Sequence, residues 1–73
     1  MIKISVLIAG RHATSISLEE DFYQELISIA KEKNLSRNEI VTLIDRERTV
    51  DNLSSAIRLY ILQYYKNKAK DQN

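Results

Sequence analysis

The sequence predicts a mainly α-helical fold that carries a short β-ribbon. Two runs near the start, "IKISVLI" and "ATSIS", alternate with period two, and from Leu18 onward the apolar period changes to about 3.6. Three helical segments follow, each with start or stop signals of its own. The change of period falls inside "HATSISLEEDFYQELISIA", with neither Gly nor Pro between its halves. A strand must therefore join a helix directly.

In the first run Ile2, Ile4, Val6 and Ile8 alternate with Lys3, Ser5 and Leu7, and the β-branched content favours a strand. Gly10, the one glycine, sits in "AGRH" before the second run, where a residue able to take positive φ lets the chain reverse as a hairpin. In the second strand Thr14, Ile16 and Leu18 point one way, and Ala13, Ser15 and Ser17 the other.

The first helix carries Phe22, Tyr23, Leu26, Ile27, Ile29 and Ala30 at helical spacing, with Glu19, Glu20 and Asp21 at the end where negative charge suits the helix dipole. Ser17 is also placed to cap it through "SLEE". "KEKN" ends it, with Asn34 as the left-handed residue. "SRNE" reads as a capping box: the Ser36 hydroxyl accepts from the Glu39 amide, and the Glu39 carboxylate accepts from the Ser36 amide. The second helix bears Ile40, Val41, Leu43 and Ile44 and fades through "DRERTVD". Asn52 caps a third, "LSSAIRLYILQYYKN", whose apolar residues nearly encircle the axis. Residues 1–68 are expected to form one domain and residues 69–73 a short polar tail.

A chain of 73 residues buries only about 60% of the surface it exposes when unfolded, so its core is marginal. Without cysteine it has no disulfide, and association with a second copy is the remaining aid. The encircled third helix points the same way, because one small subunit cannot surround it. Eleven Lys and Arg against ten Asp and Glu give a net charge of +1, which predicts neither nucleic-acid nor membrane affinity by itself. "ISVLIAG" is too short to span a bilayer and has a weak signal-peptide context, so a cytoplasmic location is expected.

No glycine-rich phosphate loop, nucleophile elbow or triad is present, and the acidic pairs Glu19/Glu20 and Asp45/Glu47 sit in polar runs that read as solvated helix ends. No enzyme is expected. His12, the single histidine, has no cysteine or carboxylate cluster beside it and is read as a turn residue rather than a metal ligand, so no metal, cofactor or small-molecule substrate is expected.

Strand, helix, short turn and helix in that order suit a different role. A two-stranded ribbon fits the major groove of B-DNA, where outward side chains meet base edges. An isolated ribbon is barely stable, but two copies paired edge to edge through Thr14–Leu18 can rest one face on their helices and leave the other free. The stretch "RHATSISLEEDFYQELISIAKEKNLSRNEIVTLID", continued by "NLSSAIRLYILQYY", resembles the ribbon-helix-helix proteins, in particular short bacterial domains with an extra C-terminal segment. The likeness covers roughly residues 3 to 66, and the T-S-I-S-L-E junction, Phe22 and N-L-S-S-A-I-R-L occur together and in order.

That resemblance implies an intertwined homodimer that binds double-stranded DNA as a transcription regulator, with higher assembly on DNA open. It places base-reading positions on Ala13, Ser15 and Ser17 and the phosphate-anchoring site on Ser36 and Arg37. Small residues stand where family members often present Arg, Lys, Asn or Gln, so Lys3, Ser5, Arg11 or His12 would supply the rest. The competing expectations are an interaction module of the same fold without DNA binding, and the antitoxin of a toxin pair.

Overall fold

The computed structural model describes residues 1–71. Two strands, β1 (Ile2–Ile8) and β2 (His12–Leu18), are followed by three helices, α1 (Glu20–Glu32), α2 (Arg37–Glu47) and α3 (Leu53–Asp71). The strands pair antiparallel as a hairpin, with Ile2 opposite Leu18, Ser5 opposite Ser15 and Ile8 opposite His12. Its turn is tight: the Arg11 amide donates to the Ile8 carbonyl at 3.1 Å, with Ala9 at φ 54° and Gly10 at φ 70°. Two successive residues at positive φ match the right-handed twist of the flanking strands. Glycine takes that conformation freely, whereas Ala9 holds it against its own Cβ.

The even-numbered residues of both strands face the helices. Val6, Ile16 and Leu18 are buried there with Leu26 and Ile29 of α1, Ile40, Val41 and Ile44 of α2, and Ile57 and Ile61 of α3. Leu18 to Glu20 pass from strand to helix with one intervening residue, which lets an inward strand side chain and the first helical turn share this core. The cap of α1 differs from expectation: Glu19 occupies the N-cap position without a side-chain cap bond, and Ser17 remains in the strand. The Ser17 amide instead donates to the Ser54 hydroxyl at 3.2 Å.

The other helix signals appear where the sequence places them. Asn34 takes φ 58° after α1, the Ser36–Glu39 capping box opens α2, and Asn52 Oδ1 accepts from the Ser55 amide at 2.9 Å at the start of α3. Helix α3 buries one face, Ala56, Ile57 and Ile61, and leaves Leu59 52% and Leu62 53% exposed with Tyr65 beside them. It continues to Asp71, so the first part of the expected tail is helical, and residues 72–73 of that tail lie outside the described residues.

Candidate functional site

The hairpin leaves its odd-numbered side chains on the face away from the helices. Lys3 stands opposite Ser17, Ser5 opposite Ser15, and Leu7 opposite Ala13. All but Ser17 are exposed, and Ser17 is half-buried beside Ser54. Five residues singled out from the sequence thus share one face, and Arg11, with His12 next to it, marks the turn at its end. No Asp or Glu occurs among the first 18 residues, so the hairpin has Lys3 and Arg11 as its only full charges with histidine neutral. The +1 of the whole chain hides this separation of charge.

The two edges of the sheet differ. In an antiparallel pair, the backbone groups of alternate residues point outward and are free of the ladder. On β1 these belong to Lys3, Ser5 and Leu7, and α2 meets those of Ser5 and Leu7. The Leu7 amide donates to Asn38 Oδ1 at 3.1 Å, the neighbouring Ala9 amide to Thr42 Oγ1 at 2.9 Å, and the Arg37 guanidinium to the Ser5 carbonyl at 3.3 Å. On β2 the outward groups belong to Ala13, Ser15 and Ser17. Ser54 takes the Ser17 amide, and among the described residues no partner outside the ladder meets Ala13 or Ser15. An open groove of about 320 Å³ runs beside this edge, with Ile16 and Leu53 among its lining and Asp45, Arg48 and Asp51 contributing charge.

Ser36 and Arg37 lie at the start of α2, next to the β1 edge. The Ser36 hydroxyl accepts from the Glu39 amide at 3.1 Å, and the Glu39 carboxylate accepts from the Ser36 amide at 2.7 Å. These bonds, the backbone one first, hold the Glu39 carboxyl below its ordinary value of 4.5. The first amides inside the helix keep the orientation that attracts an anion. Arg37 also donates to the Tyr23 hydroxyl at 3.3 Å, which with the Ser5 contact fixes its head over the junction of β1, α1 and α2. Thus Lys3, Ser5, Ala13, Ser15 and Ser17 share the sheet face, Arg37 and Ser36 flank it beyond β1, and Arg11 lies at the tip.

The sequence reading did not find Asn38, Thr42, Tyr23 or Ser54. Asn38, Thr42 and Ser54 bond the hairpin across 31 to 37 residues of chain and Tyr23 bonds Arg37 across 14, and local patterns carry no sign of them. Nor did it find the Glu19–Arg58 ion pair at 2.9 Å, whose hydrogen bond holds the Glu19 carboxyl below the ordinary value and ties the strand-to-helix junction to α3. Among the described residues no group of His, Cys, Asp and Glu is arranged to hold a metal ion, and no helix is long and apolar enough to cross a membrane.

A family model described as a ribbon-helix-helix domain matches residues 1–65, nearly the whole chain. The chain belongs to the ribbon-helix-helix family. Members of that family generally bind DNA as transcription regulators or antitoxins, and they typically do so as dimers. Neither a curated protein nor a solved structure matches the chain. Within the ribbon-helix-helix domain, the hairpin, α1 and α2 supply the named elements, and α3 packs against them from behind.

Proposed function

We propose that this ribbon-helix-helix protein is a cytoplasmic, homodimeric transcription regulator. In this reading β2 of each copy pairs antiparallel with β2 of the other, and the outward face of the joined sheet enters the major groove of DNA. The observation that carries it is the difference between the two edges. A strand edge with unpaired amides and carbonyls is a template for another strand, and side chains of α2 engage the β1 edge at Ser5, Leu7 and the adjoining Ala9, whereas on β2 Ser54 takes the Ser17 amide and the edge at Ala13 and Ser15 is open among the described residues. Pairing centred on Ser15 uses all seven residues of β2 and sets Ala13 opposite the partner copy's position 17. The Ser17 amide then exchanges Ser54 for a partner carbonyl, and the inward side chains of the partner strand cover the groove beside the edge.

Width assigns the contacts. Four strands in the order β1, β2, β2, β1 place their outer members about 14 Å apart, wider than the roughly 12 Å of the major groove. The two central strands fit inside, so Ala13, Ser15 and Ser17 face base edges. The outer strands lie over the walls, where Lys3 meets phosphate together with Arg37 and the first amides of α2. Serine hydroxyls donate or accept at either kind of base pair, so they read sequence weakly.

Fluorescence anisotropy of labelled duplex DNA, titrated with protein at low and moderate salt, tests the reading. Four cations per dimer, Lys3 and Arg37 from each copy, give a log–log salt slope of about −3.6, or about 150-fold loss of affinity on a fourfold rise in salt. Arg37→Gln should weaken all sequences alike and flatten the slope by about 1.8. No binding at low salt, or binding indifferent to salt, would overturn it. A second reading, an interaction module of the same fold, is favoured by the exposed Leu59 and Leu62 of α3, and the same titration separates the two.

A further inference from the structure

The outward sheet face contains one pair of apolar side chains that can neither hydrogen-bond a base edge nor contact phosphate and that lie outside the core. Leu7 is 40% exposed and faces Ala13 directly across the hairpin. The backbone under the pair is held in place, since the Leu7 amide is anchored on Asn38 of α2. Its neighbours on the same face are Ser5 and Ser15, and no acidic residue lies within the hairpin to repel a polyanion.

We propose that the Leu7–Ala13 pair recognises thymine by its C5-methyl group, so that the protein prefers DNA with two thymines spaced across the dyad. This rests on the DNA-binding reading above. The methyl is the one apolar group that a base pair presents in the major groove, and small apolar side chains are its usual contact. Ala13, on the central strand, is short enough to let the backbone approach and touches the methyl. Leu7, one strand outward, covers the contact from the wall side and excludes water. The serines beside them accept either base pair, so the methyl contact becomes the main source of preference. With Ser15 on the dyad, the two Ala13 positions are separated by four strand residues, about 13.6 Å, which corresponds to about four base-pair steps.

The test compares a duplex rich in A·T pairs with the same duplex in which every thymine is replaced by uracil, a change that removes only the methyls. Wild-type protein should bind the uracil duplex about 4-fold more weakly per lost contact, or about 15-fold for two, with an unchanged salt slope. The double variant Leu7→Ser/Ala13→Ser, shown to be folded by circular dichroism, should bind both duplexes equally and keep the wild-type salt slope. Equal binding of the two duplexes by wild-type protein would overturn the methyl contact while leaving the DNA-binding reading standing. A thymine preference that persists in the double variant would remove these residues from the contact. Failure to bind either duplex at low salt would overturn the DNA-binding reading, and the methyl contact with it.

Discussion

Replacing Ser15 by proline should strongly weaken the proposed dimer while leaving the fold of each chain intact. The Ser15 amide points away from β1 and takes no part in the hairpin ladder, so proline removes no hydrogen bond within the chain. Thr14, the residue before it, already has the extended conformation that a following proline requires. In the proposed dimer the two Ser15 residues would exchange a pair of bonds across the dyad. Losing both donors costs about 1 kcal/mol each, and the two carbonyls left facing proline rings bring the sum to about 3 kcal/mol. That corresponds to about a 150-fold weaker dimer. Sedimentation equilibrium over a range of protein concentration measures it, with thermal unfolding as the check on folding. Ser5→Pro is the matched control, because Ser5 stands directly opposite Ser15 but faces the other edge, where Arg37 of α2 holds its carbonyl. It should leave dimerisation at the wild-type level. The reasoning is refuted if Ser15→Pro dimerises like the wild type, or if Ser5→Pro is the variant that falls apart.

Two further outcomes follow from the turn and from the cap of α2. Ala9→Gly removes the strain of φ 54° and, after allowing for the greater freedom of the unfolded chain, should stabilise the protein by about 0.5–1 kcal/mol, a rise in Tm of about 4 °C. The Glu39 and Glu19 carboxyls both titrate below their ordinary 4.5, so their contribution is complete above that pH and is lost as pH falls through the folded-state values. Urea denaturation of wild type and Glu39→Gln between neutral and acid pH should therefore show a shallower acid decline in the variant. An identical decline would contradict the role of the capping box.

The parts of this fold that were legible in the sequence are those set by neighbours in the chain. Alternation in "IKISVLI" and "ATSIS", Gly10 at the turn, Asn34 after α1, the Ser36–Glu39 box and the Asn52 cap all express backbone preferences within a few residues. The outward placement of Lys3, Ser5, Ala13 and Ser15 follows from the same alternation. Ser17 shows where local reading fails: its sequence fits a helix cap, but its amide is taken by Ser54, 37 residues away, and Glu19 becomes the N-cap residue. Asn38 and Thr42 look like ordinary polar positions on an exposed helix face, yet they decide which sheet edge is free. Arg37 was visible as a cation at a helix start, whereas its contacts with Ser5 and Tyr23 depend on how three elements meet.

Isotope-filtered nuclear Overhauser measurements on an equimolar mixture of labelled and unlabelled protein address the assembly itself. Joining of the β2 strands predicts contacts between copies that link Ala13 with Ser17 and Ser15 with its own counterpart, with none reaching Lys3 or Ser5. Contacts between copies confined to Leu59 and Leu62 of α3, or none at all, would contradict it.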